Sequence, residues 1–234
     1  MENRSRMGLE SMFLSTLRWA TARLVRAPQA WLWAALLIAC WPLVAAFTPV
    51  GMTTRDRAPG GALYEIAFWS ALVGVASGLA TVVRGRWFLA PLSTPRRLTV
   101  EAFALLAPTG LFLAAGLGGA ALVGAPASAS VWLGAGLCTL HLTAGGLLLL
   151  RLPLSPGVAV AVLVALAWPV PALLAGAAPP GPGIARFLDA GQHLAFSTGS
   201  NPAEAHRGAA LLPIIGMVLA AALLNRPDAL RRPG

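Results

Sequence analysis

Long apolar stretches recur along the whole chain, separated by short stretches that carry arginine, proline or small polar residues. A run of about 20 apolar residues is what an α-helix needs to cross the hydrocarbon core of a bilayer. The pattern predicts six such helices, at roughly 31–50, 62–83, 101–123, 129–150, 157–177 and 209–225. We therefore expect an all-α, polytopic integral membrane protein that forms a single transmembrane domain over residues 1–234.

Two segments outside the predicted spans have patterns of their own. In residues 8–27, apolar side chains share one helical face, with serines and arginines opposite, which predicts an amphipathic helix in the membrane interface. The alternative is a ragged extension of the first span. Residues 178–208 are too short and too polar to span and open with a Pro/Gly break, so we expect a re-entrant or surface segment on the outer side.

Composition supports a membrane location. Hydrophobic residues make up 57% of the chain and charged residues 11%, and the mean hydropathy is +0.74. A soluble domain carries about 25% charged residues. The net charge of +9 comes from arginines at the ends of apolar spans, where anionic lipid headgroups are the natural counter-ions. We expect membrane lipids, and not nucleic acid, as partners.

The distribution of arginine predicts the orientation. Six spans place 13 arginines on one side of the membrane and 4 on the other. Because basic residues concentrate in cytoplasmic connections, both termini are expected in the cytoplasm. An odd number of spans would scramble this asymmetry.

The sequence has no motif of a self-contained enzyme. GxxxxGK[ST], GxGxxG, HExxH and GxSxG are all missing, and Cys40 and Cys138 lie in the middle of predicted spans. We predict no metal site, no cofactor bound by this chain and no nucleotide site. If ATP is used, another chain must bind it.

Polar and aromatic residues inside the spans are the candidates for a substrate path. His141 lies near the centre of the fourth span, Glu65 near the outer end of the second, and Trp168 deep in the fifth. An ionisable residue in a membrane helix is a functional hypothesis by default. The alternatives are that His141 is a neutral histidine with a structural role, that Glu65 forms an ion pair with a nearby arginine, and that the indole of Trp168 only packs against its neighbours. Glu101 follows Arg97 by four residues, which favours a local ion pair or a helix N-terminal acid.

The stretch RGRWFLAPLSTPRRLTVE begins at residue 84 and connects the second and third spans. Cytoplasmic orientation explains its arginines but not the apolar WFLAPL or the STP turn. Ser93 and Thr94 suit a turn or helix cap, and Pro95 suits the first position of a helix. Residues 84–100 are therefore predicted to form a basic, amphipathic elbow at the membrane surface that can hold a soluble partner.

The phrase PLSTPRR at 91–97 resembles the "LLSTP-x-R"-like phrase of permease subunits of ABC-2-type exporters. The basic amphipathic helix, the six spans and the long outer segment before the last span are also similar to that family. In that family an acidic-Gly-Thr phrase often precedes the STP region and a Gly-Lys phrase often follows it, and this chain has neither. Glu101 stands near the position where the lysine of the Gly-Lys phrase would be expected. The haem-exporter permease of cytochrome c biogenesis is a six-span branch of similar length.

The resemblance implies a permease subunit in the bacterial cytoplasmic (inner) membrane. It implies an ABC ATPase subunit as partner, which carries ATP and Mg, and a second permease copy or a related permease chain. It implies docking and coupling at this connection, through Leu92, Pro95, Arg96 and Arg97.

Two other classes of function are open. The few polar residues in the spans favour a non-transporting accessory or assembly subunit of a larger membrane complex. An intramembrane enzyme with His141 as acid–base residue needs a second ionisable group at similar depth, and the sequence shows none.

Overall fold

The computed structural model describes residues 59–85, 89, 92–122, 127–167 and 207–224, together with five isolated positions in the first 26 residues. Side chains at 59–62, 64, 65, 130 and 207–210 lie outside this description. The described residues form five continuous helices: α1 (Pro59–Gly85), α2 (Thr94–Leu122), α3 (Ala129–Leu149), α4 (Pro156–Ala167) and α5 (Arg207–Leu223). The five isolated positions are also helical: Leu14, Ser15, Arg18, Ala22 and Arg26.

The all-helical prediction is confirmed for the described residues, and three helices are long and apolar enough to cross a membrane. These are Ile66–Gly85, Thr94–Leu122 and Val131–Leu149, and they correspond to the predicted second, third and fourth spans. α4 and the apolar part of α5 are shorter. The first predicted span, residues 168–177 of the fifth and residues 178–206 of the outer segment lie outside the described residues, so the number six stays a prediction. Residues 207 and 208, predicted to belong to the outer segment, lie in the first turn of α5.

α1 and α2 are antiparallel and pack closely because small residues on α1 recur every fourth position. A Cβ added at Gly74 would lie 2.4 Å from the Cα of Thr109, and one at Gly78 would lie 2.4 Å from the carbonyl oxygen of Ala104. One turn earlier, Ser70 meets Gly116 in the same register. Only glycine allows the two backbones to approach this closely, which is the small-xxx-small mode of membrane helix association.

Pro108 explains why Gly78 meets a carbonyl. Proline has no N–H, so the hydrogen bond that residue 108 would donate to the carbonyl of Ala104 is absent from α2. The freed oxygen of Ala104 lies against Gly78. One residue later, the Thr109 hydroxyl donates to the carbonyl of Leu105 at 2.8 Å. The proline and the glycine therefore form one matched contact between the helices.

α3 lies against both α1 and α2. A Cβ at Gly146 would lie 3.2 Å from Leu105 of α2 and 3.4 Å from Val75 of α1. α3 begins at the N-cap Ser128, whose side chain accepts a hydrogen bond from the Val131 amide at 3.4 Å. The core of the described bundle is mainly aliphatic, and its largest fully buried side chains are Phe112, Leu72, Leu79, Leu89, Leu105, Leu117, Glu101, Val75, Val82 and Val100.

α5 packs on the opposite side of α3. Ile214 and Met217 form a small buried cluster with Ala144. Other apolar side chains of α5 point away from the protein, including Leu212 at 68% exposed. An apolar helix face turned outward is expected where lipid is the solvent.

Candidate functional site

The STP turn is the start of α2 and is continuous with the apolar part of that helix. α2 begins at Thr94, with Pro95 in its first turn, as the capping pattern predicts. The amide of Arg97 donates to the carbonyl of Ser93 at 2.9 Å, and the Thr99 hydroxyl donates to the carbonyl of Pro95 at 2.9 Å. One 29-residue helix therefore joins the exposed turn at Ser93–Pro95 to the interior of the bundle.

Glu101 is the centre of a buried ionic cluster near this helix start. Its side chain is 0% exposed. Arg97, one turn earlier on α2, donates from Nε to Glu101 Oε1 at 2.9 Å. This is the local ion pair that the spacing of four residues predicts.

The second partner of Glu101 comes from another helix. Arg151, two residues beyond α3, donates from Nη2 to Glu101 Oε2. Its Nε donates to the carbonyl of Leu147 at 3.3 Å, so the same side chain also satisfies a carbonyl in the last turn of α3. A cation there is favourable because the last carbonyls of a helix carry partial negative charge.

The cluster lies where three helix ends meet. Arg97 and Glu101 lie at the N-terminal end of α2, Arg151 follows the C-terminal end of α3, and Arg84 lies in the last turn of the antiparallel α1. We call this part of the protein the arginine end of the bundle, defined by Arg84, Arg96, Arg97, Glu101 and Arg151. All four arginines are predicted to lie on the same side of the membrane, and the structure brings their helix ends together.

Arg151 keeps its charge at neutral pH. Burial and the nearby positive charge of Arg97 lower the pKa of Arg151 to about 10, which is still well above pH 7. Two guanidinium groups share one carboxylate, so the Arg97–Glu101–Arg151 cluster has an excess of positive charge. A buried ionic cluster is weak evidence for stability but can specify one arrangement of elements over another. Here, the arrangement it favours is the pairing of α2 with the end of α3.

The four residues predicted to dock an ATPase differ in accessibility. Leu92 is 6% exposed and Arg97 is 5% exposed, whereas Pro95 is exposed and Arg96 is half-buried. The docking role itself stays a prediction. If an ATPase docks at this connection, the accessible residues that it can contact are the turn at Ser93–Pro95 and Arg96. Leu92 and Arg97 instead support that surface from within.

The predicted substrate-path residues do not form a described site. His141 is buried on α3, at 4% exposed. Glu65 lies within α1, but its side chain is not described, and Trp168 lies outside the described residues. Their role stays a prediction. Among the residues that the structure describes, no group of three or more His, Cys, Asp and Glu side chains could hold a metal ion.

The spacing of four residues predicted the Arg97–Glu101 pair, whereas Arg151 was not predicted as the second partner of Glu101. The available signal was indirect: Arg151 was placed on the same side of the membrane as Arg97. The packing stripe on α1 was not predicted either, although Ser70, Gly74 and Gly78 recur every fourth residue.

Comparisons with known proteins add no identification. No family model matches the chain, and neither does any curated protein or solved structure.

Proposed function

We propose that this chain is the membrane-spanning permease subunit of an ATP-binding-cassette exporter. In this proposal, six spans form half of a translocation path in the bacterial inner membrane, with both termini in the cytoplasm. A separate ATPase chain binds and hydrolyses ATP. A second permease copy or a related chain completes the path.

The observation that carries the proposal is the mechanical continuity of the arginine end. The exposed turn at Ser93–Pro95 opens α2 directly, without an intervening flexible joint. α2 is tied to the end of α3 through Glu101 and Arg151, and to α1 through the glycine contacts. A partner that pushes on the turn would therefore move three helices together, which is the rigid-body motion an ATP-driven exporter needs.

The burial of Arg97 decides which substitutions can test docking. Replacing Arg97 by glutamate would place like charges together in the buried cluster and disturb the fold. Loss of partner binding in that variant could then result either from misfolding or from loss of the docking contact. Thr94 is exposed at the helix start, and Thr99 is exposed on the same helix more than one turn further along. They form a matched pair for crosslinking.

The experiment is photocrosslinking in native membranes, with a photoreactive residue at Thr94 or at Thr99. We expect the Thr94 probe to capture a soluble chain that hydrolyses ATP, with a much weaker adduct from Thr99. The complex purified in mild detergent should then show ATPase activity. Purification without any ATP-hydrolysing chain, and adducts at Thr94 to lipid alone, would contradict the proposal.

The accessory-subunit alternative is supported by the closed interior of α1, α2 and α3. The glycine contacts leave no room between α1 and α2. Apart from the ionic cluster, the buried polar side chains described there are a few hydroxyls and His141. In that case the Thr94 probe would capture another membrane chain without ATPase activity.

A further inference from the structure

We propose that the arginine end of the bundle binds the phosphate group of an anionic lipid headgroup, with Arg96 and Arg84 as its principal ligands. The inference does not depend on the proposed permease function. It rests on the charge balance at this end, on the surroundings of Arg96, and on the depth at which α1 and α2 end.

The first support is the charge balance. The described residues at this end include four arginines and one carboxylate, Glu101. Both oxygens of Glu101 are already occupied by Arg97 and Arg151. The single negative charge of Glu101 is shared by these two guanidinium groups, and no described ion pair joins it to Arg84 or Arg96. The remaining positive charge therefore calls for an anion from outside the described residues.

The second support is the state of Arg96. Its Nη1 atom is buried and has no hydrogen-bond acceptor among the described residues, while the residue as a whole is only half-buried. A buried donor on a charged group without an acceptor is costly. The other atoms of the side chain are partly accessible from outside, so a small rotation of the guanidinium group would bring Nη1 into contact with an external anion.

Arg84 lies at the same end of the bundle as Arg96. The contacts of Gly74 with Thr109 and of Gly78 with Ala104 set an antiparallel register that places Arg84 beside the first turns of α2. Arg84 is exposed and makes no ion pair with another described residue. Two guanidinium groups from neighbouring helix ends can share the oxygens of one phosphate.

The depth of this end identifies the source of the phosphate. At about 1.5 Å per residue, α1 and α2 are about 40 and 43 Å long, whereas the hydrocarbon core is about 30 Å thick. Their ends therefore reach the headgroup layer, where lipid phosphates lie. Pro95 and Leu152 are exposed at this end, and apolar surface beside the arginines suits a lipid better than a free anion.

The test is a lipid titration of the delipidated full-length protein in neutral phosphatidylcholine nanodiscs. Phosphatidylglycerol is added in steps, and the bound lipid is counted by native mass spectrometry. We expect Arg96→Gln to weaken binding about tenfold, as for the loss of one charge-assisted hydrogen bond, and the double variant with Arg84→Gln to abolish it. Arg96→Lys should bind with intermediate strength because it keeps the charge but loses the planar fork.

Arg207→Gln is the control, because it removes the same charge from the first residue of α5, which the predicted topology places on the opposite side of the membrane. It should change binding less than about twofold. Melting temperatures of all variants should match the wild type, which excludes misfolding as the cause.

Three results would overturn the inference. The first is equal binding by wild type and the double variant. The second is displacement of the lipid by millimolar inorganic phosphate, which would make free phosphate the occupant. The third is unchanged lipid binding combined with loss of a protein partner in Arg96→Gln, which would make an acidic protein surface the occupant. Loss of the ATPase partner in photocrosslinking, with lipid binding intact, would count only against the proposed permease function.

Discussion

Replacing Glu101 by glutamine tests the ionic cluster. The substitution keeps the size of the side chain and one carbonyl oxygen, but it removes the negative charge between Arg97 and Arg151. Both guanidinium groups would then be buried without a counter-charge, and they would repel each other. Glu101 is 0% exposed, so water does not replace the lost interaction at the carboxylate position.

The expected magnitude follows from the geometry. Opposite charges about 4 Å apart attract by about 4 kcal/mol at an effective dielectric constant of about 20. Glu101 makes two such pairs. Removing one partner of a buried ion pair costs about 3–5 kcal/mol, and we expect Glu101→Gln to lower the free energy of unfolding by about that amount. At about 1.4 kcal/mol per factor of ten, the folding equilibrium falls by about two to four orders of magnitude.

The assay is reversible unfolding in mixed micelles by titration with sodium dodecyl sulfate, followed by tryptophan fluorescence. Arg84→Gln is the matched control because Arg84 is exposed at the same end of the bundle, and it should change stability by less than about 0.5 kcal/mol. The triple variant Arg97→Met, Glu101→Leu, Arg151→Met should recover most of the loss, since it leaves no buried charge.

Two outcomes would refute the reasoning. A loss below about 1 kcal/mol in Glu101→Gln would mean that the carboxylate does not balance two buried charges. A triple variant as unstable as Glu101→Gln would mean that packing, and not charge, decides the result.

Three further predictions follow from the packing and the charges. Gly78→Ala should destabilise the protein by about 1–3 kcal/mol because its Cβ would meet the backbone of α2; Gly118→Ala, which meets nothing within 4 Å, should be close to neutral in the same unfolding assay. The stability difference between wild type and Arg151→Met should be constant from pH 7 to 9. The pKa of Arg151 in the folded protein, about 10, lies below the ordinary pKa of arginine. The guanidinium therefore keeps its proton in both the folded and the unfolded protein up to pH 9, and stability rises with pH only above about 10. A difference that changes below pH 9 would contradict that pKa. In a Cys40→Ser background, Cys138, which is 0% exposed, should react with a maleimide only after denaturation; rapid labelling of the folded protein would contradict the packing of α3.

Much of the fold was predictable because long apolar runs carry the information locally. The predicted spans 62–83 and 129–150 correspond closely to α1 and α3. The predicted start of the third span at 101 differs from the helix start at Thr94, because a hydropathy pattern detects the membrane-embedded part and not the polar first turns. The capping residues Thr94 and Pro95 carried the missing information.

The ionic cluster was only half predictable. Arg97 and Glu101 are one helical turn apart, so their pairing depends on local geometry alone. Arg151 is 50 residues from Glu101, and its approach depends on the register between α2 and α3. That register is also seen in packing contacts such as Gly146 against Leu105. The register has no local signature in the sequence.

The central claim is that the cluster holds the start of α2 and the end of α3 together as one rigid unit. The most direct measurement is the distance distribution between spin labels at Thr99→Cys and Leu152→Cys, both exposed positions, in lipid bilayers with Cys40 and Cys138 replaced by Ser and Ala. We predict a single narrow distribution, which becomes broad when Glu101→Gln is added. A distribution that is already broad with Glu101 present, or one that does not change with Glu101→Gln, would contradict the claim.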